Sequence, residues 1–177
     1  MFYILRYLYI FIKYLLFGKR QPLDSVFRFN SRCTLNDIDY NFHMNNASYL
    51  VVFELARWSL VLESGLLTVC RRGKFNPVVA GIAVTYKRQL KLFQKYHIET
   101  KITGISGHWG FLEQTMYSGG KMMCRASLKL VFLKGRSKVP LEKLFDNQDG
   151  EWVEGLEELG DVHSSHLNIE KLLRMES

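Results

Sequence analysis

The sequence predicts an α+β fold, an antiparallel sheet curled round one long buried helix, and three observations predict it. Residues 46–64 carry Ala47, Leu50, Val51, Phe53, Leu55, Ala56, Trp58, Leu60, Val61 and Leu62, apolar side chains at nearly every helical angle. Such a helix is buried on most sides rather than along one stripe. Four segments rich in Val, Ile, Thr, Tyr and Phe come after it, which is strand composition. Neither G-x-G-x-x-G nor G-x-x-x-x-G-K-S/T occurs, so nothing supports a parallel, doubly wound sheet. At 177 residues the chain holds one domain with a substantial core.

Residues 2–17 are apolar apart from Arg6 and Lys13. As a helix the stretch is about 25 Å long, a little short of the roughly 30 Å hydrocarbon core of a bilayer. Arg6 and Lys13 stand two turns apart on one face. That geometry suits an interfacial helix, or a short tilted span whose cations reach for headgroups. Its tyrosines fit the interface belt. Phe17-Gly18-Lys19-Arg20 has no small-residue cleavage site, which argues against a signal peptide. A soluble helix packed on the domain is the remaining alternative. If the segment spans, Lys19 and Arg20 place the main domain on the cytosolic side. The expected division is a membrane-associating segment at 1–20, the main domain at 24–135, and an extension at 136–177.

Val26–Thr34 reads as the first strand, and residues 35–45 as a loop without apolar period. Asn45 or Asn46 caps the buried helix, and Gly65 ends it. The expected strands are Val78–Leu92, Tyr96–Ser106, Gly110–Tyr117 and Lys121–Leu133. In the last, Cys124, Ala126, Leu128, Leu130 and Phe132 alternate with Arg125, Ser127 and Lys129. Gly119-Gly120 signals a hairpin turn, and Gly104 and Gly107 bracket another. The tail from Pro140 is polar and acidic, expected as short helices outside the sheet.

The composition, 47% hydrophobic and 23% charged, is that of a folded protein. The net charge of +7 is spread over Arg71, Arg72 and Lys74, over Lys87, Arg88 and Lys91, and over an N-terminus without acids before Asp24. No nucleic-acid motif accompanies it, so nucleic acid is not an expected partner. Cys33, Cys70 and Cys124 are odd in number and far apart. They read as reduced, buried thiols, with no metal site and no cofactor implied.

The chemistry-bearing stretch is Asp37-Ile38-Asp39-Tyr40-Asn41-Phe42-His43-Met44-Asn45-Asn46-Ala47-Ser48-Tyr49, succeeded by Phe53-Glu54-Leu55-Ala56-Arg57. It resembles the D-x-D-x-x-x-H-V/M-N-N-x-x-Y…F-E-x-A-R signature of the hotdog-fold acyl-thioesterase superfamily (4-hydroxybenzoyl-CoA thioesterase-like). The resemblance covers roughly residues 24–135. The apolar start, the loop and the Leu172–Ser177 ending further resemble the animal group called thioesterase superfamily member six.

The resemblance implies hydrolysis of acyl thioesters, of acyl-CoA or another acyl carrier, and a homodimer whose second subunit closes the open side of the loop. Asp39 matches the superfamily's catalytic aspartate, as general base or nucleophile. Asn41 and His43 match positions that orient water and substrate. Asn46 and Ala47 open the helix, where backbone N–H groups and the helix dipole suit an oxyanion. Asn45 supports the site as a cap, and Glu54 and Arg57, at i and i+3, as an ion pair. Asp37 reads as a loop-stabilising residue. Two other readings stay open. One is a non-catalytic lipid- or acyl-CoA-binding scaffold on the same fold. The other is hydratase chemistry, which would want an Asp-x4-His pair, whereas Asp39 and His43 have three residues between them.

Overall fold

The computed structural model describes residues 2–141. Five long strands form one antiparallel sheet: β1 (Phe27–Arg32), β2 (Asn76–Tyr86), β3 (Lys95–Ser106), β4 (Trp109–Ser118) and β5 (Lys121–Lys134). Their order is β1-β3-β4-β5-β2, and a two-residue β6 (Ser137–Lys138) pairs with β5. Three helices complete the described part: α1 (Phe2–Phe17), α2 (Asn46–Glu63) and α3 (Leu66–Gly73).

The expected buried helix is α2. Its Tyr49, Val52, Phe53, Ala56 and Leu60 share one core cluster with Ile98 of β3, Met116 of β4 and Leu128 of β5. Asn45 is the N-cap, its side chain accepting from the Ala47 N–H. Gly65 succeeds the helix in the left-handed region at φ +79, a conformation that glycine adopts without a Cβ penalty. The Gly119-Gly120 turn has φ of +54 and +72, as a two-residue hairpin between right-twisted strands requires.

Three expectations change. The strand expected over Val78–Leu92 is shorter and shifted: β2 starts at Asn76 and stops at Tyr86. The Lys87 and Arg88 N–H groups both turn to the Met123 carbonyl, so the chain leaves the ladder there. Gly104 does not flank a turn. It sits inside β3 at a register shift after Ile102, and the turn itself is Gly107-His108. The third change is α3, a helix the sequence pattern does not announce. Its Leu66, Val69 and Cys70 recur at helical spacing and are buried.

The N-terminal helix α1 packs along α2. Ile10 is buried, Tyr7 and Tyr14 are half-buried, and Tyr7 meets Trp58 edge-on at 6.2 Å. Arg6 and Lys13 part company: Arg6 turns inward, whereas Lys13 is exposed. The outward face shows Ile4, Leu5, Leu8, Tyr9, Leu15 and Phe17. Among the described residues no helix is long and apolar enough to cross a membrane. The expected extension at 136–177 lies outside the described residues beyond Leu141, and so does the Leu172–Ser177 ending.

All three cysteines are unpaired and buried. Burial pushes the Cys33 and Cys70 thiols up to about 11 and the Cys124 thiol up to about 12.

Candidate active site

The loop between β1 and α2 is a closed, internally bonded structure rather than an open coil. It begins with a short 3-10 turn, Leu35–Asp37, capped by Thr34. Asp37 is 2% exposed. Its Oδ2 accepts from the Thr34 N–H and hydroxyl, both at 2.8 Å. The guanidinium of Arg6 grips both its carboxylate oxygens, at 2.7 and 2.8 Å, and also donates to the Thr34 hydroxyl. Burial acts to raise the Asp37 pKa. The hydrogen bonds from Arg6 and Thr34, with the Arg6 charge, outweigh it and hold the carboxyl below its ordinary value. The Asp37 carbonyl takes the Asn45 N–H at 2.7 Å, which ties the turn to the cap of α2.

Between these ties runs a small hairpin closed by an Ile38–Met44 bridge. The Asp39 N–H donates to the His43 carbonyl, and the Phe42 N–H to the Asp39 carbonyl, both at 3.0 Å. Phe42 takes φ +58 to make the bend. The half-buried Asp39 carboxylate accepts from the Asn41 N–H at 2.9 Å, an Asx turn. The structure thus brings Asp39, Asn41 and His43 into one tight turn, with Tyr40 and Phe42 projecting from its tip, 88% and 72% exposed. A second bridge joins His43 to Lys91, and the Met44 N–H donates to the Leu90 carbonyl. Lys91, bridged to the turn at His43, is exposed, as is Lys87 four residues earlier, while Arg88 donates to the Met122 carbonyl.

The two expected oxyanion donors fare differently. The Ala47 N–H is engaged by the Asn45 side chain at 2.8 Å. The Asn46 N–H carries no hydrogen bond among the described residues. Asn45 is therefore a cap, and Asn46 presents the unengaged N–H at the positive end of α2.

The rest of the signature is structural in this geometry. The Tyr49 hydroxyl accepts from the Leu90 N–H, pinning the segment that flanks His43. Phe53 is in the core. Among the described residues Glu54 and Arg57 make no contact at ion-pair distance, though the Glu54 charge still raises the Arg57 pKa against the lowering by burial. Arg57 donates to Gln114 Oε1 of β4 at 2.9 Å. Burial first, then the neighbouring Glu54 carboxylate, pushes Tyr7 of α1 up to about 12. A cavity of about 550 Å³ lies farther along α2, walled by Glu54, Arg57, Val61, Leu67, Phe75 and Leu130 among others. Sequence reasoning missed Arg6, Thr34 and Gln114. Arg6 alone carried a signal, as a cation inside an apolar helix.

A polar turn at the mouth of a buried helix, on a curled antiparallel sheet, is the architecture of the hotdog fold. The chain belongs to the Thioesterase-like superfamily, whose family model matches residues 33–148. Among curated proteins it is 30% identical over 105 residues to Protein THEM6 of Danio rerio, covering 56% of this chain and 52% of that one. Protein THEM6 of Drosophila melanogaster matches at 30% over 100 residues, again 56% and 52%. The chain thus spans about half the length of these relatives. Among solved structures, the YbaW probable thioesterase of Escherichia coli superposes with a TM-score of 0.64 at 25% identity, covering 76% of this chain and 99% of YbaW. Protein SAV2348 of Staphylococcus aureus, solved in complex with CoA, has a TM-score of 0.65 at 18% identity, with 81% and 97% covered. At that identity it shows the fold alone.

Proposed function

We propose that the protein hydrolyses acyl thioesters, with fatty acyl-CoA as substrate, at a membrane surface, Asp39 serving as general base or nucleophile. The observation that carries this reading is the Asp39–His43 turn, fixed at the N-terminus of α2 beside the unengaged Asn46 N–H. As base, Asp39 takes a proton from water while the oxygen attacks the thioester carbonyl. The Asn46 N–H and the helix dipole receive the oxyanion, which collapses with expulsion of the thiolate. Asn41 and His43 orient water and substrate from the same turn. Lys87 and Lys91 suit the phosphates of CoA.

The apolar cavity serves the far part of the acyl chain. Its nearest wall residue, Glu54, stands eight residues from Asn46, about 12 Å along the helix. A long chain reaches it and a short one does not. The outer face of α1, with exposed Lys13, Lys19 and Arg20, suits an interfacial seat on anionic lipid. Three unpaired, buried thiols suit a domain on the reducing, cytosolic side. A second copy of the chain covers Tyr40 and Phe42, and light scattering that finds only monomer would remove that element.

One observation favours a second reading, a non-catalytic acyl-CoA-binding scaffold. The Asp39 carboxylate already has a local employment in its Asx turn. Asp39→Asn separates the two readings, since it keeps shape and the Asn41 bond while removing the charge. Turnover in a thioester-hydrolysis assay should fall by roughly 10² to 10⁴, with KM little changed. A fully active variant takes Asp39 out of the mechanism. A wild type that binds acyl-CoA without hydrolysing it establishes the scaffold.

A further inference from the structure

We propose that α1 is part of the catalytic apparatus: Arg6 is a positioning residue that holds the loop 34–45, and with it Asp39, in the geometry turnover needs. The proposal rests on the reading of Asp39 given above, and it starts from a burial problem. Asp37 is the one charged residue among the buried residues described. A carboxylate taken out of water is costly unless it is paired and fully hydrogen-bonded. Thr34 supplies two bonds but no charge. The charge comes from Arg6, thirty-one residues upstream on a different element, in the two-pronged geometry that fits a guanidinium to a carboxylate.

What Asp37 fixes is the frame of the site. Its carbonyl holds the Asn45 N–H, and the Asn45 side chain caps α2 through Ala47. Asp39 lies two residues beyond Asp37, inside the hairpin that Ile38 and Met44 close. Every group assigned to the thioester carbonyl therefore lies between Asp37 and Ala47, a segment braced from outside by α1. Other basic residues near that helix do not do this. Lys13, Lys19 and Arg20 are all exposed, whereas Arg6 is 22% exposed and sits on the inner face with Tyr7 and Ile10. The inner face of α1 thus serves the loop, and its apolar outer face is left for another surface. The seat of α1 sets the register of the loop, so turnover depends on whatever displaces that helix.

The test uses the full chain. Arg6→Ala, Arg6→Lys and wild type are compared in steady-state thioester hydrolysis, with and without guanidinium ion at a non-denaturing concentration. Amide hydrogen exchange is measured on each. Arg6→Ala should lower kcat by about tenfold or more while KM stays within about twofold, because a misplaced catalytic group costs rate rather than affinity. Arg6→Lys should fall between, keeping charge without the fork. Added guanidinium should recover part of the kcat of Arg6→Ala and leave the wild type unchanged. Exchange should rise at residues 34–45 and stay at wild-type levels in α3 and β5. A folded Arg6→Ala with wild-type kcat overturns the proposal. So does a general loss of protection without rescue, which would make Arg6 a plain stability element. If the wild type shows no turnover, the thioesterase reading fails by itself. The catalytic part of the proposal falls with it, and the exchange arm decides only whether Arg6 braces the loop: a rise confined to 34–45 supports the brace and an unchanged pattern overturns that too.

Discussion

Replacing Gln114 by leucine tests how the signature arginine is used. Gln114 is fully buried and satisfied on both sides of its amide. Its Oε1 accepts from Arg57 at 2.9 Å, and its Nε2 donates to the Phe53 carbonyl at 2.9 Å and to the Thr100 hydroxyl at 3.0 Å. Leucine of similar volume removes all three bonds at once. Losing a hydrogen bond to a charged group costs about 1.5–3 kcal/mol, and stranding the fully buried Thr100 hydroxyl costs about 1–3 kcal/mol. The Phe53 carbonyl retains its place in the helical ladder and adds little. The greater apolarity of leucine returns on the order of 1 kcal/mol. The net expectation is a loss of about 3 kcal/mol. For a chain of this size that is a drop in Tm of roughly 6–12 °C. Urea unfolding should show a lower midpoint at unchanged m, and Arg57→Met added to Gln114→Leu should cost less than the two singles together. A loss below about 1 kcal/mol would mean that Arg57 and Thr100 find other partners at little cost, and the network reasoning would be wrong.

Three further outcomes are expected of the same structure. In wild type the depressed Asp37 pKa contributes stability that is full above the unfolded value, about 3.9, and is lost as pH falls through the folded one. In Arg6→Met the carboxyl pKa rises, so the deficit against wild type should be largest at neutral pH and shrink toward about pH 4; a pH-independent deficit in urea midpoints would contradict this. Val61→Phe fills the cavity beside α2 and should lower kcat/KM for long-chain acyl-CoA at least about tenfold more than for short-chain substrates, as read in a chain-length series. Equal effects on both would disconnect the cavity from the substrate. Leu8→Asp with Leu15→Asp, both on the exposed face of α1, should abolish co-sedimentation with anionic vesicles at unchanged Tm, and continued sedimentation would refute the interfacial seat.

Features of the fold set by neighbouring residues were legible in the chain, and those set by distant ones were not. Helix α2 shows itself because its apolar side chains surround it, and Asn45 and Gly65 mark its ends by local backbone chemistry. The Gly119-Gly120 turn is equally local. The end of β2 at Tyr86 depends on where Lys87 and Arg88 find the Met123 carbonyl, a matter of register between strands. Helix α3, eight residues long, is too short to declare a period, and the place of Gly104 is set by its pairing with Phe111. In the site, the gathering of Asp39, Asn41 and His43 was visible because they share one turn. The engagement of Ala47 was not, since a cap that bonds an N–H removes the donor that position suggests. Arg6 with Asp37, and Arg57 with Gln114, join residues too far apart for spacing to reveal.

The cysteines have a practical use. With their thiols raised to about 11, 11 and 12, Cys33, Cys70 and Cys124 hold little thiolate near neutral pH; Cys33 and Cys124 are fully enclosed, whereas Cys70 lines the cavity beside α2. The chain with Cys70→Ser is therefore a quiet background for maleimide chemistry. In that background a single cysteine introduced at an outward position such as Leu16→Cys would take a fluorophore or spin label, with Cys33 and Cys124 left in place. An environment-sensitive dye there would report the polarity around α1 directly, in vesicles or in cell membranes.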